Sequence, residues 1–230
     1  MYVDLYSLTF FALIALMILG LVIQARLRSV FAKYSKVQTV QSKTAAEVAR
    51  EVLAQNRSNV SVSQIAGTLT DNFNPRSNTV SLSQDVYSSR SVAALAVALH
   101  EVGHVMQYQN DYFPIKIRNS ILPVARIGST AAPYIVILGI LLSSFNLAAI
   151  GVVLYAAVLL FQLATLPVEF NASSRAIDML TMGGYIRNDE ISGAKKVLRM
   201  AALTYVVATL STLVSLLRLV LLVSGSRRRD

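Results

Sequence analysis

The chain contains two histidines, and both fall in one pentapeptide, His100-Glu101-Val102-Gly103-His104. On an α-helix, residues four apart lie above one another on one face, so both imidazoles point the same way. Two imidazoles so placed can bind one zinc ion, and the intervening glutamate can reach a water on that ion as general base. A hydrolytic zinc takes three protein donors and keeps a fourth position for water. With no third histidine and no cysteine, the third donor has to be a carboxylate. Glu169, in LPVEFNASSRA just after an apolar run, is the first candidate. Asp178 is the next, and Asp111 follows the motif too closely to return to it.

Other side chains could serve the same site. Arg175 can stabilise an oxyanion or form a structural ion pair. Tyr108, one turn beyond His104, is a possible oxyanion donor, and Asp71 reads as turn chemistry. Gly103 weakens the helix and so marks close packing or substrate approach.

The elements that must position these residues are legible in the pattern. From Ser91, VAALAVALHEVGHVMQY runs helically until Asn110, and Pro114 makes a break beyond it. Thr44 to Leu53 reads as a short amphipathic helix with Thr44 as its cap. Residues 67–83 read as strand, turn and strand: FNPRSN supplies turn formers, and TVSLS alternates with a period of two.

These polar segments sit among long apolar ones. Hydrophobic residues make up 54% of the 230 and charged residues 14%, well below the about 25% charged of a soluble domain. Residues 5–24 form an uncharged run of spanning length, and residues 131–145, 147–166 and 200–223 give three more. The second begins as early as Ile121 if Pro123 and Pro133 only bend it. A signal peptide is the competing reading of the first run. Its early region would be basic and a small-residue cleavage site would follow, whereas Asp4 is the only early charge.

The net charge of +9 is read as lysine and arginine flanking the spans; no basic stretch interleaved with aromatics points to nucleic acid. Arg26, Arg28, Lys33, Lys36 and Lys43 put the first flank in the cytoplasm and the N-terminus outside. Four spans then leave Arg227, Arg228 and Arg229 outside, against the same rule. Either the last helix lies partly in the interface with Arg218 snorkelling, or the count is off by one.

Several separated motifs together resemble the YugP-type bacterial membrane zinc metallopeptidases. They are FAKYSKV at residues 31–37, AGTLTDNFNP, SLSQDVY, ALHEVGHVMQY, TLPVEFNASSRA and KKVLRMAALTYV, ending at about residue 207. More distantly the chain is similar to HtpX-like and CAAX-prenyl gluzincin proteases, whose HExxH helix is completed by the glutamate of an E-x-x-A-D motif on a second helix. The resemblance implies His100, His104 and Glu169 as zinc ligands, Glu101 as general base, and Ala172 as the small residue that lets the two helices approach. Ser173 stands where the HtpX-like motif has aspartate, and Asn171 where the YugP type reads E-F-D-A-S. Asn72 takes a position where histidine is usual. The partners of the second ring nitrogens of the ligating histidines are thereby left open. In such peptidases an exposed strand edge lines the substrate cleft; residues 79–83 are either that edge or a plain hairpin covering the helix.

The expected fold is a mostly α membrane protein, with about four transmembrane helices and a small membrane-adjacent α+β zincin-like domain. Its expected segments are an anchor (1–24), the domain with hairpin and HExxH helix (25–120), a membrane hairpin (121–166), the segment with the third ligand (167–199), and a last span with basic tail (200–230). The expected function is zinc-dependent endopeptidase action, through a zinc-activated water, on membrane or membrane-proximal proteins, with the site on the cytoplasmic side of the cell membrane. The rival is a non-catalytic zinc-binding scaffold or chaperone-like protein. A transporter would need ionisable groups within the spans, and the middle ones offer essentially none. Oligomeric state is left open.

Overall fold

The computed structural model describes residues 4–41 and 43–226. In chain order the elements are α1 (Leu5–Tyr34), α2 (Ala45–Gln55), β1 (Ser61–Ile65), β2 (Asn72–Asn74), β3 (Thr79–Ser83), α3 (Gln84–Tyr87), α4 (Val92–Gln109), α5 (Phe113–Leu141), α6 (Phe145–Met182) and α7 (Ile191–Ser226). They form two compact units. One takes α1 up to Val22, Phe113–Leu166 and the chain from Thr204; the other takes Ile23–Tyr112 and Pro167–Leu203.

The first unit is helical throughout. α1, α5, α6 and α7 are each long and apolar enough to cross a membrane, so the expected count of four stands. Phe11, Leu21, Tyr134, Leu141 and Val153 are each more than 60% exposed, a surface suited to lipid and not to water. Without a hydrophobic drive between helices in lipid, small residues set their approach. A Cβ on Gly139 of α5 would lie 2.4 Å from the Ala148 nitrogen of α6, so only glycine permits that contact. Pro123 and Pro133 lie inside α5 without ending it, and the helix begins at Phe113, earlier than the apolar run suggested. Near the end of α7, Arg218 donates to the Tyr6 carbonyl at 3.2 Å and stacks 3.9 Å from the Tyr6 ring centroid. The last turns of α7 therefore lie level with the first turns of α1. Arg227, Arg228 and Arg229 fall outside the described residues.

The second unit holds the mixed α+β region. Thr44 caps α2 with a full capping box: its hydroxyl accepts from the Glu47 N–H, and the Glu47 carboxylate accepts from the Thr44 N–H at 2.7 Å. Ser91 caps α4 more simply, its hydroxyl accepting from the Ala94 N–H with no reciprocal bond. The alternation in TVSLS buries Val80 and Leu82 against α2 and α4, in a core that includes Val48, Leu53, Leu95 and Leu99.

The sheet order is β1-β3-β2, with β1 parallel and β2 antiparallel to β3. The strand–turn–strand expected over 67–83 is present as β2 and β3. Of the two readings of 79–83, the exposed edge is ruled out: β3 is the central strand, flanked on one side by β1 and on the other by β2. β1, short and largely exposed on both faces, carries too weak an apolar alternation to be read from sequence.

Candidate metal centre

The site is built where α4 meets the C-terminal part of α6. Gly103 makes the approach possible: a Cβ there would stand 2.7 Å from the Ala172 carbonyl oxygen, closer than two such atoms can lie. Ala172, fully buried on the facing helix, is the small residue opposite. With the backbones this close, a side chain one turn before Ala172 reaches the histidine face of α4. That side chain is Glu169.

Its Oε2 lies 3.3 Å from His100 Nε2 and 3.8 Å from His104 Nε2. The three donor atoms all lie within 4.8 Å of one another, and they are the one such cluster among the described residues. Tetrahedral bonds of about 2.0–2.2 Å place donors about 3.3–3.6 Å apart, which the two measured distances bracket. Two imidazole nitrogens and one carboxylate oxygen are a donor set that suits zinc. Donor chemistry, spacing and burial therefore fit the ion. Asp178 and Asp111 lie outside the cluster and are exposed.

Glu101 sits beside the cluster and is buried. Burial pushes its carboxyl up to about 7; the charges of Glu169 and Asp71 add to the rise, while His100 and a hydrogen bond from the Phe73 backbone oppose it. Burial alone would lower the His100 imidazole, but the carboxylates of Glu169 and Glu101 reverse that and hold it above its usual range. Asp71 makes a tertiary contact and not the local turn bond expected of it, accepting from the Ser83 N–H at 2.7 Å and from the Ser83 hydroxyl twelve residues on. Tyr108 packs edge-on against Phe73, with ring centroids 5.5 Å apart.

The second ring nitrogens, left open by the sequence, have partners. The Ser173 hydroxyl meets His100 Nδ1 at 3.2 Å. His104 Nδ1 lies 2.9 Å from Gln107 Oε1. Gln107 Nε2 donates to the Val168 carbonyl at 2.7 Å and to Asn171 Oδ1 at 3.1 Å. Arg175 donates its Nε–H to the same Asn171 oxygen at 2.8 Å. Asn171 thus touches neither histidine directly, and Arg175 bonds this amide and, among the described residues, forms no ion pair with the site carboxylates. Gln107 and Phe73 are the site residues that sequence reasoning missed. Gln107 had a signal, being a lone amide three residues past His104 on the same face of an apolar helix. Phe73 had none.

The chain as a whole resembles known proteins. A family model described as "Putative neutral zinc metallopeptidase" matches residues 9–224, nearly the whole chain. The chain belongs to this zinc metallopeptidase family. A Bacillus subtilis (strain 168) protein named "Putative membrane protease YugP" is 46% identical over 205 residues, covering 89% of this chain and 91% of that one. No solved structure matches at a significant level. As a member of the zinc metallopeptidase family with a buried His/His/Glu cluster and four helices of membrane-spanning length, the chain is a multi-pass membrane enzyme of zinc-dependent peptide hydrolysis.

Proposed function

We propose that His100, His104 and Glu169 hold the zinc ion and that Glu101 is the general acid–base of an endopeptidase acting on membrane and membrane-proximal proteins. The observation that carries this reading is the meeting of three ligand atoms beside a fourth, buried carboxyl that binds and releases a proton near neutral pH. Bound zinc supplies Lewis acidity, polarising a carbonyl and acidifying water.

The chain's own residues do the rest. Glu101, raised to about 7, takes a proton from the attacking water and returns it to the leaving amine. The Phe73 backbone lies close enough to Glu101 to lower the pKa of its carboxyl. That proximity favours β2 as a binding edge. In an antiparallel ladder the N–H and C=O of one residue point to the same side. With its N–H turned toward Glu101, Phe73 faces away from β3, and its carbonyl is available to an extended peptide laid along β2. The edge that pairs with substrate in this reading is β2, in place of 79–83.

The basic flank at the C-terminal end of α1, with Arg26, Arg28, Lys33 and Lys36, supports a cytoplasmic position for the active site. The Arg218–Tyr6 contact then supports the first turns of α1 and the Arg218 region of α7 lying together on the opposite side. A site held at the bilayer meets membrane-tethered substrates at high effective concentration, which favours that substrate class.

The test is zinc per chain in detergent-purified protein, wild type beside Glu169→Ala, with peptide hydrolysis followed in wild type and Glu101→Gln. About one zinc in the wild type, much less in Glu169→Ala, and hydrolysis lost with zinc retained in Glu101→Gln is the expected pattern. Zinc bound by wild-type protein that cleaves nothing would establish the scaffold reading instead.

A further inference from the structure

Gln107 is fully buried in a helix whose other buried residues are nearly all apolar. A buried amide is costly unless each polar atom is satisfied, and this one is satisfied in a single orientation. The Val168 carbonyl can only accept, so the amide NH2 must face it. The Arg175 Nε–H can only donate, so the Asn171 atom beside it is the oxygen, and the second Gln107 N–H also meets an acceptor. The amide cannot flip. Its remaining atom, Oε1, has no proton to give and stands 2.9 Å from His104 Nδ1.

We propose that Gln107 is a positioning residue that locks His104 as its Nδ1–H tautomer, so that Nε2 presents a lone pair to the metal before the metal arrives. The locking group is the run of bonds from Arg175 through Asn171 to Gln107, anchored on the Val168 carbonyl. His100 is set differently. Its Nδ1 meets the Ser173 hydroxyl, which both donates and accepts and rotates to suit. His104 is therefore a preset ligand and His100 an adaptable one. This inference rests on the ligand assignment proposed above, but its central claim concerns metal-free protein and is measured there.

The chain has only two histidines, so protein made with nitrogen-15-labelled histidine shows two imidazoles by NMR. A His100→Asn sample assigns His104. In the metal-free wild type, at a pH well above the imidazole titration, His104 should show a slowly exchanging proton on Nδ1 and none on Nε2. His100 should carry its proton on Nε2, toward the Glu169 carboxylate 3.3 Å away, and lose it from that nitrogen only when metal binds. Gln107→Met, close to isosteric but without the acceptor, should release the His104 tautomer and weaken zinc binding, read by chelator competition, by about 10- to 100-fold. Arg175→Met should cost less, because the Val168 carbonyl still holds the amide. A His104 proton on Nε2 in the wild type overturns the proposal without any variant having to fold, and so does a Gln107→Met protein with wild-type tautomer and zinc affinity. Wild-type protein that binds no zinc yet shows the preset tautomer would instead overturn the ligand assignment.

Discussion

Replacing Gly103 by alanine sets two effects of opposite sign against each other. Within a helix, alanine is favoured over glycine by about 1 kcal/mol. The new Cβ, however, would lie 2.7 Å from the Ala172 carbonyl oxygen, where ordinary contact begins at 3.4 Å. The deficit is 3.4 − 2.7 = 0.7 Å, and the obstacle is backbone, which cannot rotate away as a side-chain tip would. α4 and α6 must then separate by several tenths of an ångström, at an overpacking cost of about 1–3 kcal/mol. Because Glu169 rides on α6 and both histidines on α4, the same separation stretches the metal site. We expect Gly103→Ala to lower thermal stability modestly, to weaken zinc binding by about tenfold, and to lower kcat/KM by up to about 100-fold, since an ångström of misplacement at a reacting centre costs about that much. Gly225→Ala, where nothing lies within 4 Å of the new atom, serves as the control. Detergent thermal unfolding, chelator competition and peptide cleavage on the two variants decide the matter. Unchanged zinc affinity and activity in Gly103→Ala would refute the claim that this crossing sets the site.

Glu101→Gln keeps the shape of the side chain but not its proton chemistry; hydrolysis should fall by about 10²–10⁴-fold with zinc content unchanged, and a smaller loss would move the general base elsewhere. Because the Glu101 carboxyl titrates near 7 when folded against an ordinary 4.5, the folded metal-free protein binds that proton more tightly than the unfolded chain does. Its contribution to stability is therefore present below about pH 4.5 and lost as pH rises toward 7. Metal-free wild type should show this decline in unfolding temperature, and metal-free Glu101→Gln should show less of it; equal pH profiles would contradict the shift. Thr44→Ala removes one half of the capping box on α2 and should cost about 1 kcal/mol, visible as a lower unfolding temperature with unaltered zinc stoichiometry.

The chemistry of the site was readable from residue types because its geometry is local. His100 and His104 share a helix face by spacing alone, and the absence of other soft donors led to a carboxylate that the fold brings back as Glu169. The crossing was foreshadowed by Gly103 and Ala172, both too small to be there for their own sake. What stayed open has equally local causes. Alternation in TVSLS tells which faces are buried but not which edges are paired, so an edge and a covered strand were equally compatible with β3. Its partner β1, SVSQI, has apolar residues only at Val62 and Ile65, which do not alternate with a period of two, and gave no warning. Around residue 167 the composition changes from apolar to polar while α6 continues unbroken to Met182, and the two compact units divide there, between Leu166 and Pro167. The change marks a change of surroundings, with no change of conformation. Gln107 escaped because a polar residue on a helix looks the same in sequence whether it faces water or the core.

The two halves of the metal site are made at different times. His100, Glu101 and His104 leave the ribosome together, but Glu169 follows His104 by 65 residues (169 − 104), and two helices of membrane-spanning length, α5 and the first part of α6, intervene. At about 5–20 residues per second, a growing chain spends roughly 3–13 seconds with a two-histidine face and no third donor. Zinc can be held firmly only once those helices have been made and placed. The enzyme is thus inert during its own insertion, and a truncated or misinserted chain never arms itself against the membrane proteins around it.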